Sequence, residues 1–178
     1  MGGRSFKQIK QAKGAADIKR GIIFSKLLSA VSAAAKMEPN PDFNPRLRTT
    51  IEKARAANVP LENIERAISK TTSGEIVSEE ALFEAYGPGG TALLIEAITD
   101  STNRTVAEIK LLLREHGGKW AEPGSVTWGF EPSMEGETPV WNAKFPLAIS
   151  DADKKDLDAL IGILQEQQDV QRIYTNAQ

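Results

Sequence analysis

The spacing of the apolar residues changes along the chain, and this change limits the fold more than any other feature. From Ala15 to Lys36 apolar residues recur at helical spacing, as expected of a helix with one buried face. These residues are Ile18, Ile22, Leu27, Val31 and Ala34. From Thr91 to Thr99 the apolar residues are nearly continuous, which is typical of a strand buried on both faces. The sequence therefore predicts a helical unit followed by a unit that contains a β-sheet.

Two further helices are predicted in the first unit. Asn44 followed by Pro45 supplies an N-cap and a first-turn proline, so a second helix begins there and runs to about Ala57. The segment Asn58-Val59-Pro60 ends that helix and begins a third, which runs to about Lys70. Three helices with short connections form a small bundle of helix-turn-helix character.

The second unit is predicted to mix strands and helices. A helix is expected over Asn103–His116, with Thr105 and Glu108 as a capping box and two glycines after His116 as its stop. Strands are expected at 125–130, 140–149 and 170–174, and a further helix after a Ser150 cap. The order βαββαβ predicts a ferredoxin-like sandwich, so the fold class is α+β. We expect a helical domain at 1–72, a polar linker at 73–82 and the sandwich at 83–178.

Charge is divided between these two units. Residues 1–70 hold 14 Lys and Arg against 6 Asp and Glu, whereas residues 71–178 hold 8 against 18. A basic unit favours a polyanionic partner, and an acidic unit avoids one. Lysines and arginines on helices bind phosphates without reading sequence, so nucleic acid is the expected partner of the first unit. The candidate contacts are Lys7, Lys10, Lys13, Lys19, Arg20, Lys26, Arg46, Arg48 and Lys53, with Arg55 beside them.

Several kinds of site are disfavoured by composition. The chain has no cysteine and a single histidine, His116, which excludes thiolate metal sites and a cysteine nucleophile. The aspartates between 151 and 158 lie at a helix start, where they complement the helix dipole without a metal. We therefore expect no catalytic residue, no metal and no cofactor, although chemistry by carboxylates alone stays open. With no apolar run of membrane-spanning length and no secretory signal, a cytoplasmic protein that does not bind membranes is expected.

Two features near the middle of the chain carry alternative interpretations. The run Gly87-Pro88-Gly89-Gly90 precedes a strand rather than a helix, so a tight turn is favoured over a phosphate-binding loop. The order βαββαβ is also that of RNA-binding domains in which bases stack on aromatic side chains of the sheet. The aromatic residues in question are Trp128, Phe130, Trp141 and Phe145. They lie in the acidic unit, which favours a place in the core or at an interface.

Five long stretches resemble the YebC-like proteins, a family that includes the mitochondrial translational activators of cytochrome c oxidase. They are KGAADIKRGIIFSKL, NPRLRTTIEKARAANVP, YGPGG with IEAITDSTNRTVAEIK, GSVTWGFE and DVQRIYTN. The resemblance implies a helical first domain, α+β domains after it and no known catalytic chemistry. It also implies that the basic residues contact nucleic acid and that a second family surface exists. That surface would comprise Tyr86, Gly87, Pro88, Gly89, Gly90, Asn103, Arg104 and Thr105.

Two departures from the family pattern bear on function. Family members usually carry Ser-Lys-Trp near the start, where this chain has Arg4-Ser5-Phe6-Lys7. The family also normally inserts a third domain after GSVTWGFE, where this chain has only the loop-length segment 132–138. Any activity that resides in the inserted domain is therefore expected to be absent.

The functional hypothesis is a non-enzymatic regulator of gene expression, associated with the ribosome and contacting ribosomal RNA. A DNA-binding transcriptional regulator, with dimers bringing two basic domains to one duplex, is the alternative. A small-molecule sensor or an enzyme is the third class. Homodimer formation through the acidic unit is compatible with each of them.

Overall fold

The computed structural model describes residues 3–75, 78–136 and 138–178, with side chains from residue 14 onward. The chain divides into two compact units, Met1–Val77 and Ser78–Gln178. The described part of the first unit contains helices and no strand, and the second unit contains strands and helices. The predicted α+β class is confirmed.

Three helices form the first unit: α1 (Gly3–Ala35), α2 (Pro45–Ala56) and α3 (Leu61–Ser69). The predicted bundle is confirmed, and among the described side chains its core uses those of the C-terminal part of α1. The buried core residues are Val31, Ala34, Ala35, Leu47, Ala54, Val59, Ile64 and Ala67. Residues 14–21 of α1 are exposed, and Ile18 keeps 67% of its surface in solvent. The described N-terminal part of α1 therefore extends beyond the core with its side chains in water.

The connection between α1 and α2 is built around Asn44. Its side-chain oxygen accepts the Leu47 N–H at 3.0 Å, which confirms the predicted N-cap. Its amide also donates to the carbonyls of Ala34 at 2.8 Å and Glu38 at 2.7 Å. The buried side chain of Asn44 therefore caps the first turn of α2. It also provides a hydrogen-bond donor to one carbonyl in the last turn of α1 and to one carbonyl just after that helix.

The second unit has three layers. A four-stranded antiparallel sheet in the order β3-β1-β2-β6 has two helices on one face and a hairpin on the other. The strands are β1 (Glu79–Tyr86), β2 (Ala92–Thr99), β3 (Lys119–Ala121) and β6 (Val170–Thr175). The helices are α4 (Thr102–Glu115) and α5 (Asp151–Glu166), and the hairpin is β4 (Phe130–Glu135) with β5 (Thr138–Ala143).

Both faces of the sheet are covered because the side chains of β2 alternate between two cores. Leu93, Ile95 and Ala97 pack against α4 and α5, whereas Leu94 packs against Phe130 and its neighbours on the hairpin side. This confirms that β2 is buried on both faces. It also places Phe130 in a core, with Trp141 packed against it, rather than on an open stacking surface.

The order of elements along the second unit is ββαβββαβ, which has two strands more than the predicted βαββαβ. The structure adds β1, whose first four residues fall in the segment 73–82 expected to be a linker, and β3, which follows α4. Residues 127–129 form a 3-10 turn rather than a strand, because the N–H groups of Val126 and Thr127 donate to the Glu84 carboxylate of β1 and the Gly129 N–H donates to the Val126 carbonyl. The split βαβ unit of ferredoxin-like folds is nevertheless present. The chain passes from β2 through α4 to β3, and β1 lies between these two strands in the sheet.

The start of α4 also differs from the prediction, and its end agrees with it. Ser101 is the N-cap, and Thr105 is fully buried instead of forming a capping box with Glu108. After His116 the chain turns through Gly117 at φ 77°, and the Gly118 N–H donates to the Leu113 carbonyl at 2.7 Å. This is a Schellman ending.

Candidate nucleic-acid interface

The basic residues predicted to contact nucleic acid lie on two helices, α1 and α2. Lys19 and Arg20 are exposed on the part of α1 that extends beyond the core, and Lys26 is partly exposed nearer to it. Arg46, Arg48 and Lys53 are exposed on α2. The side chains of Lys7, Lys10 and Lys13 lie outside the described residues, although α1 includes those positions.

Helical spacing arranges these cations in rows beside the core. Lys19 and Lys26 are seven residues apart on α1, so they lie two turns apart on one side of the helix. Arg46 and Lys53 have the same spacing on α2, one position before the buried Leu47 and Ala54. On α2 this row lies next to the buried face, whereas on α1 it runs from the exposed N-terminal part to Lys26, beside Leu27, which packs against the core.

Arg48 and Arg20 differ in the kind of partner that they bind. Arg48 donates through one guanidinium nitrogen to the Pro41 carbonyl at 2.7 Å and to the Asp42 carbonyl at 3.1 Å. Arg20 forms an exposed ion pair with Asp17 at 3.0 Å. An exposed pair contributes little to stability, so Arg20 can exchange its partner for a phosphate. Arg48 would do so only at the cost of its loop contacts.

An exposed aromatic residue beside these cations was missed in the sequence. Phe43 keeps 76% of its surface in solvent, immediately before the Asn44 cap and the arginines of α2. Exposed aromatic side chains beside cations stack on unpaired bases. The signal was the pattern Phe-Asn-Pro-Arg, in which a large apolar residue directly precedes a helix N-cap, outside the apolar pattern of either helix.

The third helix has the opposite character. Glu62 and Glu65 are exposed on α3, and Arg66 is paired with Glu62 at 2.6 Å. In a helix-turn-helix module the second helix enters the major groove, and here that helix would bring carboxylates to the phosphates. The geometry suits phosphate binding by α1 and α2 better than base reading by α3.

The turn Tyr86–Gly90 in the second unit is a packing element. It contains a short 3-10 segment, and the Gly87 N–H donates to the Thr91 carbonyl at 2.8 Å. A Cβ on Gly87 would come within 2.7 Å of Thr91 Oγ1, and one on Gly89 within 2.9 Å of Ile149 Cγ2. These two glycines therefore let the turn approach its neighbours closely, which explains them without a phosphate ligand.

The turn provides a matched pair of substitutions. Gly89 and Gly90 both have positive φ, at 69° and 75°, but only Gly89 is crowded. Gly90→Ala is expected to lower the free energy of unfolding by about 1 kcal/mol through backbone strain alone. Gly89→Ala adds the contacts with Ile149 and Asp153 and is expected to cost about 2 kcal/mol. Urea unfolding of both variants measures the difference, and equal losses would show that the turn is not tightly packed.

The family residues Asn103, Arg104 and Thr105 do not form one surface. Asn103 is exposed, but Arg104 pairs with Asp169 at 2.9 Å and Thr105 is fully buried, 2.7 Å from the same carboxylate. The side chain of Thr105 therefore does not lie on the second family surface to which it was expected to belong. The motif positions the start of α4 against the segment before β6.

Among the described residues, the structure contains no helix that combines the length and apolar character needed to cross a membrane. The same residues contain no group of three or more histidine, aspartate or glutamate side chains arranged to hold a metal ion.

Comparison with known proteins places the chain in a family. The model described as the TACO1/YebC protein N-terminal domain matches residues 4–74, and that of the TACO1/YebC second and third domain matches residues 78–137. A solved structure of a conserved hypothetical protein from Aquifex aeolicus superposes with a TM-score of 0.82 at 30% identity, covering 90% of each chain.

Relatives with longer sequences agree. A probable transcriptional regulatory protein of Trichlorobacter lovleyi is 48% identical over 133 residues, which cover 73% of this chain and 54% of that protein. One of the same description from Treponema denticola is 52% identical over 125 residues, covering 68% and 51%. The chain spans about half the length of the curated relatives it matches. Two successive family models, matched in order along both units, show that this chain belongs to the TACO1/YebC family.

Proposed function

We propose that this protein is a non-enzymatic regulator of gene expression that binds ribosomal RNA through the basic side chains of α1 and α2. The observation that carries the proposal is the concentration of exposed cations on these two helices, in a chain whose second unit is acidic. Phosphate contacts of this kind give salt-sensitive affinity without base specificity.

A ribosomal target is favoured over duplex DNA by two features of the first unit. The exposed carboxylates of α3 oppose its entry into a major groove. Phe43 is exposed beside the cations, where it can stack on an unpaired base, and unpaired bases are frequent in structured RNA and absent from an intact duplex. Association with the ribosome follows as the setting in which such RNA is most abundant.

A DNA-binding transcriptional regulator is the second candidate. It is favoured by the printed names of the relatives in Trichlorobacter lovleyi and Treponema denticola, which describe them as probable transcriptional regulatory proteins. The two candidates differ in their DNA binding when unrelated competitor DNA is present in excess. A sequence-specific regulator stays bound to its own site, whereas a factor that contacts only phosphates is displaced from it.

The proposal is tested by sedimentation of lysate containing the tagged full-length chain through sucrose gradients at low and moderate salt. The variant carries Lys19→Glu, Arg20→Glu and Lys53→Glu, all at exposed positions of the first unit. The matched control carries Lys144→Glu, Lys154→Glu and Lys155→Glu, which make the same change of charge in the second unit.

Wild type and control are expected to travel with ribosomal particles, and the first-unit variant to remain at the top of the gradient. Binding of ribosomal RNA fragments by the purified proteins should weaken at least about tenfold in that variant, with a shallower dependence on salt. Wild type remaining at the top at low salt would overturn the ribosomal proposal. A footprint at a defined DNA site in competitor DNA would then establish the transcriptional alternative.

A further inference from the structure

Two aromatic side chains of the second unit are held together at its surface. Trp128 and Phe145 keep 65% and 59% of their surfaces in solvent, and their ring centroids lie 5.7 Å apart at an interplanar angle of 47°. Trp128 Nε1 donates to the Ser125 carbonyl at 2.8 Å, and the Tyr86 hydroxyl lies 3.3 Å from the same oxygen. We refer to Tyr86, Trp128 and Phe145 as the aromatic patch. It joins the YGPGG and GSVTWGFE motifs, neither of which the proposed function uses.

The loop that presents Trp128 is fixed from below by a buried carboxylate. Glu84 of β1 accepts the N–H groups of Gly124 at 2.6 Å, Val126 at 2.7 Å and Thr127 at 3.0 Å. Burial raises the pKa of Glu84, but these hydrogen bonds outweigh it and hold the pKa below its ordinary value, so the group is a carboxylate at neutral pH. The Phe145 side is fixed too, since the Lys144 N–H donates to the Gly129 carbonyl at 2.9 Å.

Such an arrangement favours recognition of another molecule. The free energy of unfolding gains little from a tryptophan left mostly in water, whereas exposed tryptophan and tyrosine held in fixed geometry are the usual centres of protein interfaces. A loop that is already ordered loses little conformational entropy when a partner binds. The buried Glu84 therefore keeps the loop that carries Trp128 in one conformation before a partner binds.

The charge around the patch selects the partner. Residues 122–136 contain three glutamates and no lysine or arginine, and Glu122 and Glu131 are exposed at the ends of the loop. Lys144 stands beside Phe145 as a cation within a unit that is otherwise strongly acidic. A polyanion is repelled by this unit, whereas arginine and lysine side chains are attracted to the carboxylates and stack on tryptophan faces. We propose that the aromatic patch docks a basic, extended segment of a partner protein, with an arginine or lysine against Trp128.

The test measures binding of an arginine-proline repeat peptide to the full-length chain by titration. Trp128→Ala and Phe145→Ala are each expected to weaken binding at least about tenfold, the loss typical of a central interface aromatic. Trp128→Phe keeps a ring and should keep most of the affinity. Leu111→Ala, which truncates an exposed apolar side chain on α4, is the matched control and should bind as wild type does.

Each of the following results would overturn the proposal. Absence of peptide binding by wild type, or equal binding by wild type and Trp128→Ala, excludes a basic segment as the partner. A loss of oligouridine affinity in Trp128→Ala with peptide affinity unchanged makes the patch a base-stacking surface. Dissociation of a dimer by Trp128→Ala in sedimentation velocity, again with peptide affinity unchanged, makes it a self-association surface. Thermal unfolding of each variant verifies that the second unit stays folded, and Trp128→Phe provides the comparison if alanine does not.

Discussion

Replacing Asp169 by alanine is expected to lower the free energy of unfolding by about 3 kcal/mol, because a buried acceptor shared by several donors disappears at once. Asp169 Oδ2 lies 2.9 Å from Arg104 Nη2, 2.7 Å from Thr105 Oγ1 and 3.2 Å from Gln167 Nε2. Asp169 and Thr105 are buried. The alanine variant leaves the Thr105 hydroxyl and the Gln167 amide without this acceptor, and Arg104 keeps only its exposed partner. Urea unfolding measures the loss.

The pH dependence of the same variant tests the charge itself. Burial raises the pKa of Asp169, but hydrogen bonds from Arg104, Thr105 and Gln167 outweigh it and lower the pKa below the ordinary value of 3.8. A group whose pKa is lower in the folded state stabilises the fold above its unfolded pKa and loses that contribution as the pH falls through the folded pKa. The difference between wild type and Asp169→Ala should therefore be constant from neutral pH to about pH 4 and shrink below it.

Asp100→Ala is the matched control, because Asp100 binds the same guanidinium nitrogen at 3.0 Å but has 54% of its side chain exposed. Its loss should be below about 1 kcal/mol, as for other exposed ion pairs. Equal losses for the two aspartates, or a loss at Asp169 that does not change below pH 4, would mean that the buried carboxylate is not what holds the start of α4 to the segment before β6.

Local signals account for what the sequence predicted well. A few adjacent residues determine where α2 starts and where α4 ends. These are the Asn-Pro pair at 44–45 and the glycines at 117–118, which act on neighbouring backbone groups. Likewise, the continuous apolar run of β2 needs no knowledge of its partners to indicate burial on both faces. The start of α5 at Ser150, whose side chain accepts the Asp153 N–H, belongs to the same class.

The failures share a different cause, since each depends on contacts between residues far apart in sequence. Strand β1 was not predicted because glutamates interrupt its apolar pattern, and the buried Glu84 binds backbone N–H groups that lie 40 to 43 residues away. Thr105 had the spacing of a capping residue, but its hydroxyl instead contacts a carboxylate 64 residues along the chain. A polar residue in a core has no local signature when its partner comes from another part of the fold.

The candidate interface shows the same division. Counting charges was enough to select the basic helices, because net charge is a property of composition. The sequence could not show that Arg48 donates to the carbonyls of Pro41 and Asp42, which lie seven and six residues earlier. Nor could it separate the exposed Trp128 from Trp141, which packs on the hairpin core. Exposure is decided by which face of an element the rest of the chain covers.

Replacing Asn44 by alanine is expected to cost about 3 kcal/mol, because one side chain serves both α1 and α2. Loss of the cap to Leu47 N contributes about 1 kcal/mol. The Ala34 and Glu38 carbonyls also lose their amide donor, and a buried group left without a partner costs about 1 to 3 kcal/mol. Unfolding of the variant by urea, followed by circular dichroism, measures the loss of helix in the first unit.

Asn44→Ser separates the two roles of this residue. Serine keeps an oxygen to cap α2 but is too short and has too few donors to reach both carbonyls, so it should recover about 1 kcal/mol of the loss and no more. Asn40→Ala, which removes only an exposed bond to the Asp42 N–H, should cost less than about 1 kcal/mol. If serine restored full stability, the cap alone would hold the bundle together. If Asn40→Ala matched Asn44→Ala, the whole loop rather than its buried asparagine would set the angle between α1 and α2, and with it the spacing of the two rows of cations.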